Sequence, residues 1–187
     1  WNFPMIIAAW KIGPSLAAGN SLVLKPSEKS PLTAIRLAML ALEAGLPPDV
    51  IQLVHGRGET AGRALVEHPE VTLVSFTGST ETGSVIGQTC GRMHKRLSLE
   101  MGGKNAMIVM DDADLDLALE GVLWGAFGTT GQRCTATSRL VLHRKIHDRF
   151  LRRLVDAAEA LRLGDGRGGY DVGPLIHERT RQKGEAH

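Results

Sequence analysis

The sequence has only two cysteines, Cys90 and Cys134, in 187 residues. That is too few for a disulfide framework and points to a reducing compartment, so the chain is expected in the cytoplasm. It also has little net charge: a balance of +2 argues for neither a nucleic-acid nor a membrane-surface partner. Long apolar runs are missing, since the stretch from Met5 to Trp10 falls far short of the roughly 18 residues a membrane span requires. No signal-peptide pattern opens the chain. Internal repeats and low-complexity tracts are absent too, and 43% hydrophobic with 22% charged residues excludes the disordered and fibrous classes.

What is present is an alternation of two periodicities. Apolar residues recur at helical spacing over Ile6 to Ala18, which stops at Gly19-Asn20. Ser21 to Leu24 is β-prone and closes at Lys25-Pro26. Pro31 to Ala44 predicts an amphipathic helix with Pro at its start and Gly45 at its C-cap. Strands are expected at Val50 to Val54, Val71 to Phe76, Arg96 to Glu100, Ala106 to Met110 and Arg139 to His143. Helices are expected at Glu59 to Glu67, from the Thr77-Gly78-Ser79 turn through Ile86, at Asp112 to Phe127 with acids in its first turn, and at Ile146 to Leu161. Such βαβα order with short connections predicts an α/β fold, a parallel sheet with helices on both faces. The stretch "GDGRGGYD" reads as a loop.

In a parallel sheet ligands gather beyond the carboxyl ends of strands. Three such ends carry "KPSE" with Lys25, Ser27 and Glu28, "HGRGE" with Gly56 and Gly58, and "TGSTETG" with Gly78 and Ser79. In the last, Ser79 is the expected N-cap of a helix that could meet a phosphate. Each alone reads as a turn, whereas three in register favour a nucleotide pocket. The spacing from Gly78 to Gly83 is not G-x-G-x-x-G, so the usual dinucleotide fingerprint is lacking. In "LEMGGKN", Glu100 ends an apolar strand before Gly102-Gly103, where partial desolvation would raise its pKa toward that of a general base; an acid that only bonds the turn is the alternative.

No second cysteine or histidine lies at ligand spacing from Cys134. His143 and His147 are four apart, but they straddle a strand end and a helix start, so no metal site is expected. Cys90, in "GQTCGR", reads as packed filler. Around Cys134, "GTTGQRCT" makes a poor core strand and a good exposed turn, and Arg133 could favour the thiolate. Nucleophile and filler both stay open on these residues alone.

"WNFP", "LKPSE", "FTGST" followed by a further Thr-Gly, "LEMGGKN" and "GQRCTA", in this order and across essentially the whole chain, resemble the aldehyde dehydrogenase superfamily. "GTTGQRCT" and "LEMGG" also resemble its α-aminoadipic semialdehyde dehydrogenase branch, although other branches share much of them. The resemblance implies an aldehyde dehydrogenase-like, Rossmann-type variant, here incomplete. Residues 1–101 would be the C-terminal part of the NAD-binding domain and 102–187 the N-terminal part of the catalytic domain.

By the same resemblance Cys134 matches the nucleophile, Asn2 the amide that joins the cysteine N–H around the oxyanion, and Glu100 the base that activates the hydrolytic water. Trp1, Lys25, Ser27, Glu28, Gly58, Phe76, Gly78, Ser79 and Gly102 match the cofactor pocket. A carboxylate at Glu28 suits the free 2′-hydroxyl of NAD, while Lys29 and Arg57 nearby leave NADP possible. The implied partners are a small-molecule aldehyde and, for the parent protein, copies of itself in a homo-oligomer.

The chain opens on Trp1 rather than Met and is read as a fragment. The family's later segments, with a glutamate and a phenylalanine at the nicotinamide ribose, are outside it, so little or no activity is expected from these residues alone. Two other classes fit the residues less well. A cofactor-independent thiol esterase or acyltransferase would leave the three strand ends unexplained. A non-catalytic nucleotide-binding module would leave Asn2, Glu100 and Cys134 unexplained.

Overall fold

A computed structural model describes residues 1–185 and divides the chain into two compact units, Trp1–Met101 and Gly102–His187. In the first unit α1 (Pro4–Ala17) begins with Pro4, whose fixed φ suits a first helical position, after a left-handed Phe3 (φ 44°). Its Ala8 and Ile12, one turn apart, share a face and are buried with Leu24 and Ala34; Leu16, Leu22, Leu37, Ile51 and Leu53 pack around them. Leu24 belongs to β1 (Leu22–Leu24), and Ala34 to α2 (Leu32–Glu43), the crossover to β2 (Ile51–Leu53). β1 and β2 pair in parallel, Leu24 opposite Leu53. Parallel neighbours need such a crossover because a tight turn can only reverse the chain.

The same βαβ unit follows twice more. β3 (Leu73–Gly78) pairs in parallel with β4 (Arg96–Met101) through α4 (Thr80–Arg92). In the second unit β5 (Asn105–Val109) pairs in parallel with β6 (Thr137–Leu142) through α5 (Leu115–Phe127). There Val109, Val122, Ile146 and Phe150 form the buried core, Phe150 coming from α6 (His147–Glu159). A last helix, α7, spans Glu178–Glu185. The class is α/β with parallel strands, as the alternation predicts, but the strands are grouped as two-stranded ladders rather than one continuous sheet.

Three local expectations are corrected. Thr77 and Gly78 are strand, not turn, because Gly78 still pairs with Met101. The helix after Ser79 does not stop at Ile86 but runs to Arg92. Gly83 and Gly87 make this possible: a Cβ at Gly83 would lie 2.4 Å from the Met101 sulfur, and at Gly87 3.8 Å from a Leu97 methyl, so bare glycines let α4 lie close on β4. Finally, the segment from Glu59 does not start as an α-helix. Residues Gly58–Gly62 form a π turn ahead of the short α3 (Arg63–Glu67), with the Lys25 side chain packed 3.5 Å from where a Gly62 Cβ would stand.

Candidate functional site

Two of the three strand ends of the first unit meet at one place. Just past β1, the Lys25 ammonium donates to the carbonyls of Pro26 (2.9 Å) and Gly56 (3.1 Å). It lies 3.9 Å from the Glu28 carboxylate, which is half exposed. The "KPSE" and "HGRGE" ends are therefore tied together by one cation, and Gly58 opens the π turn beside them. Ser27 is used locally, its hydroxyl accepting from the Lys29 N–H at 3.3 Å. Trp1 is exposed, and its carbonyl accepts from the Ser30 hydroxyl at 2.9 Å. Asn2 is half-buried just ahead of α1.

The β3–β4 ladder has two unlike faces because side chains alternate along a strand. Val74, Phe76, Leu97, Leu99 and Met101 share one face, where Leu97, Leu99 and Met101 meet α4 at Gly83 and Gly87. Here the Phe76 ring folds over Gly78 so closely that a Cβ would stand 2.4 Å from its tip. Ser79 then caps α4, accepting from the Thr82 N–H at 3.2 Å. On the other face Ser75, Thr77, Ser98 and Glu100 line a cavity of about 300 Å³ with Trp10 and Lys11 of α1. Phe76 and Glu100 thus stand on opposite sides of one ladder.

Glu100 is exposed in this unit, so the desolvation expected at the end of an apolar strand is not found; β4 alternates, and Glu100 falls on its polar face. Lys11, by contrast, is partly buried. Burial holds its ammonium below the usual lysine range, against the opposing pull of the Glu100 carboxylate, and it donates to the Ser75 hydroxyl at 2.9 Å. Sequence reasoning does not single out Lys11. Its one signal is a lone charge in the apolar run "IIAAWKIG", meaningful only once α1 is seen to lie over the polar face.

In the second unit α5 is N-capped by Asp114, which accepts from Asp116 N–H (2.9 Å) and Leu117 N–H (3.2 Å). At its other end Gly128–Gly131 form a tight turn in which Thr129 (φ 54°), Thr130 (φ 59°) and Gly131 (φ 63°) are all left-handed. Left-handed backbone costs an L-residue roughly 1–2 kcal/mol, and runs of it persist only where surroundings impose it. Those surroundings are visible: Thr130 donates to Gly173 O (3.0 Å), and Gln132 accepts from Ile176 N–H (3.0 Å).

Cys134 emerges exposed from this turn, whereas Cys90 is buried on α4, where burial pushes its thiol up. Arg133 corrects an expectation. Instead of supporting the thiolate, its buried guanidinium donates to the carbonyls of Trp124 (2.6 Å) and Gly125 (3.1 Å) and stacks 3.7 Å above the Trp124 ring. It acts as a C-cap for α5, satisfying carbonyls that the helix end leaves open. Asn105, inside the "LEMGGKN" motif but without an expected role, donates to Cys134 O (2.6 Å) and Ala136 O (3.2 Å). Gly102 is exposed with open space around it.

Among the described residues no group of three or more His, Cys, Asp or Glu could hold a metal ion, and His143 and His147 turn to separate acids, Asp111 and Asp148. Among the same residues no helix is long and apolar enough to cross a membrane. The first unit does fit a dinucleotide in two respects. An exposed carboxylate, Glu28, stands at a strand end, able to accept from sugar hydroxyls. A bare glycine, Gly78, leaves the Phe76 ring uncrowded.

Comparison with known proteins agrees over the full length. The model of the aldehyde dehydrogenase family matches residues 1–187. The chain is 50% identical over 183 residues to phenylacetaldehyde dehydrogenase of Pseudomonas fluorescens, covering 97% of this chain and 36% of that protein. It is 47% identical over 184 residues to betaine aldehyde dehydrogenase 1 of Oryza sativa subsp. japonica, covering 98% and 36%. The crystal structure of betaine aldehyde dehydrogenase from Staphylococcus aureus in complex with NAD+ superposes with a TM-score of 0.94 at 43% identity, covering 100% of this chain and 37% of that one. The chain thus spans little more than a third of the length of these relatives. Relatives with different aldehydes in their names match at similar identity, so the match supports the family and not a branch.

Proposed function

The chain belongs to the aldehyde dehydrogenase family, and from that premise we propose that the polypeptide containing it oxidises an aldehyde to a carboxylic acid. Cys134 is the nucleophile, Glu100 the base, and NAD the cofactor. The observation that carries this reading is the contrast between the two thiols: Cys90 is packed away, while Cys134 is presented on a left-handed turn that its neighbours hold in place. A filler cysteine needs no such turn.

The chemistry requires covalent capture because an aldehyde carbonyl cannot itself release hydride. The Cys134 thiolate adds to the carbonyl carbon and leaves a tetrahedral alkoxide, which the Asn2 amide and the Cys134 N–H stabilise. Bound NAD+ supplies the hydride acceptor. Loss of hydride reforms the carbonyl as a thioester on Cys134. Glu100 then takes a proton from water, the hydroxide adds to the thioester carbon, and the carboxylic acid leaves as the Cys134 thiolate is restored.

Trp1, Lys25, Ser27, Glu28, Gly58, Phe76, Gly78, Ser79 and Gly102 would hold the cofactor, residues 1–101 serving the NAD-binding domain and 102–187 the catalytic domain. Lys25 anchors the strand ends, and Glu28 beside it favours NAD over NADP by accepting from a ribose hydroxyl where a phosphate would be repelled. The S. aureus relative, solved with NAD+, supports this choice. Two free thiols suit a reducing compartment such as the cytoplasm, and a homo-oligomeric parent follows from the family resemblance. Since the relatives are nearly three times as long, the activity is assigned to the whole polypeptide and not to these residues alone.

Cys134→Ala in the full-length enzyme is the direct test. Aldehyde-dependent NADH formation is expected to disappear while NAD binding, read by fluorescence titration, persists. Continued oxidation by the variant would remove Cys134 from the mechanism.

A further inference from the structure

We infer that Asn105 is a positioning residue for the nucleophile: its side-chain amide fixes the peptide unit of Cys134 and so aims the thiol and the N–H of that residue. The inference rests on the reading of Cys134 as the nucleophile. It goes beyond that reading because neither Cys134 nor its flanking motif says what holds the cysteine backbone.

Three observations within the second unit carry it. First, Asn105 Nδ2 donates to two carbonyls at once, Cys134 O at 2.6 Å and Ala136 O at 3.2 Å. Binding the Cys134 carbonyl fixes ψ of that residue, and the bond to Ala136 two residues on keeps the following chain from swinging. Second, the β5–β6 register breaks at this residue: Asn105 pairs with Thr137 but Ala106 pairs with Arg139. Such a bulge bends a strand and re-aims its side chains, and bulges concentrate beside functional sites. Here the shift skips Ser138 on β6 and sets Asn105 opposite Thr137, the first residue of that strand and three beyond Cys134. Third, the chain entering Cys134 is held independently. Thr130 donates to Gly173 O, Gln132 accepts from Ile176 N–H, and Arg133 donates into the end of α5. On the exit side the Ala136 N–H closes a turn onto Arg133 O at 3.2 Å, and Asn105 adds the side-chain ties to Cys134 O and Ala136 O.

The physical consequence is pre-organisation. The N–H that would face the oxyanion belongs to the same residue whose carbonyl Asn105 holds, so rotation about Cys134 moves donor and sulfur together. Thiol reactivity toward a small alkylating agent depends on thiolate content and access; hydride transfer from the captured aldehyde depends in addition on the N–H being aimed. Losing Asn105 therefore lowers the second much more than the first. An amide with a purely structural role would lower stability and leave this ratio unchanged.

The test compares Asn105→Ala, Asn105→Ser and Cys134→Ala in the full-length enzyme. The readouts are the first-turnover rate of NADH formation, KM for NAD, and the rate of Cys134 alkylation by iodoacetamide. Asn105→Ala is expected to slow first-turnover NADH formation by about tenfold or more, with KM for NAD and alkylation each within about twofold of the parent. Asn105→Ser, which keeps one donor, is expected to fall between the two. A first-turnover rate in Asn105→Ala within about twofold of the parent, or an equal fall in alkylation and NADH formation, overturns the inference. If Asn105→Ala does not fold, Asn105→Ser decides, a slowed first turnover supporting the inference and an unchanged one overturning it. Cys134→Ala separates the two readings, because oxidation without Cys134 refutes the nucleophile itself, whatever the Asn105 variants do.

Discussion

Adding a single methyl at Gly78 is expected to weaken NAD binding without unfolding the protein. A Cβ there would lie 2.4 Å from Cζ of Phe76 and 3.0 and 3.1 Å from its two Cε atoms. Carbon atoms prefer separations of roughly 3.5–4.0 Å, so the tip of the ring must retreat by more than about 1 Å. Phe76 is only half-buried, and the ring can move toward solvent. The fold is therefore strained little, and Ala in a strand recovers roughly 0.5–1 kcal/mol of backbone entropy relative to Gly. Stability should change by less than about 1 kcal/mol.

A ring proposed to contact the cofactor cannot retreat so freely without cost. If about 50 Å² of apolar contact is lost, roughly 25 cal/mol per Å² makes the loss about 1.3 kcal/mol, close to a tenfold rise in Kd. Fluorescence titration with NAD reads this directly, and a thermal melt checks the fold. The decisive control is the double variant Phe76→Ala with Gly78→Ala. Without the ring there is nothing to displace, so the Gly78 change should add no further loss to that of Phe76→Ala. An unchanged Kd in Gly78→Ala, or equal and additive losses in the double variant, would refute the argument.

Phe150→Ala empties the centre of the second unit's core, where the side chain is fully buried among Val109, Val122 and Ile146. A loss of about 3–5 kcal/mol is expected, read as a lowered denaturant midpoint at unchanged slope, and a loss under about 1 kcal/mol would mean the site collapses freely. The loop joining α6 to α7 should loosen in acid. Arg162 bonds hold the Asp171 carboxyl down at about 2 from its ordinary 3.8. A depressed folded-state pKa stabilises above the unfolded value and stops doing so as pH falls through the folded one. Protection from hydrogen exchange around Arg162 and Asp171 should thus fall between about pH 4 and pH 2, and in Asp171→Asn most of that fall should vanish, leaving the part that Asp165 and Arg167 contribute.

Much of this protein is legible in the chain because the signals are local. The amphipathic period of Pro31 to Ala44, the acids ahead of Leu115 and the β-prone run of Arg96 to Glu100 each produce the expected element to within a few residues. "GTTGQRCT" also marks its own exposure, since small residues after an apolar helix favour an exposed turn and Cys134 is exposed. Two of the misreadings share one cause. Gly78 continues β3 because a partner strand is present to pair with it, and α4 outruns Ile86 because Gly83 and Gly87 can touch β4. Neither neighbour lies within a helical turn along the chain.

The sequence by itself determined which residue types stand where: parallel βαβ units, one thiol fit for exposure, and motifs that assign the family. Only the tertiary structure decided where side chains point. It turned Arg133 away from Cys134 into the end of α5. It put Glu100 on a polar face with the partly buried Lys11, and it gave the carbonyl of Cys134 to Asn105. Composition and period follow from neighbours within a few residues, whereas direction follows from strand register, which is settled only when distant segments pair.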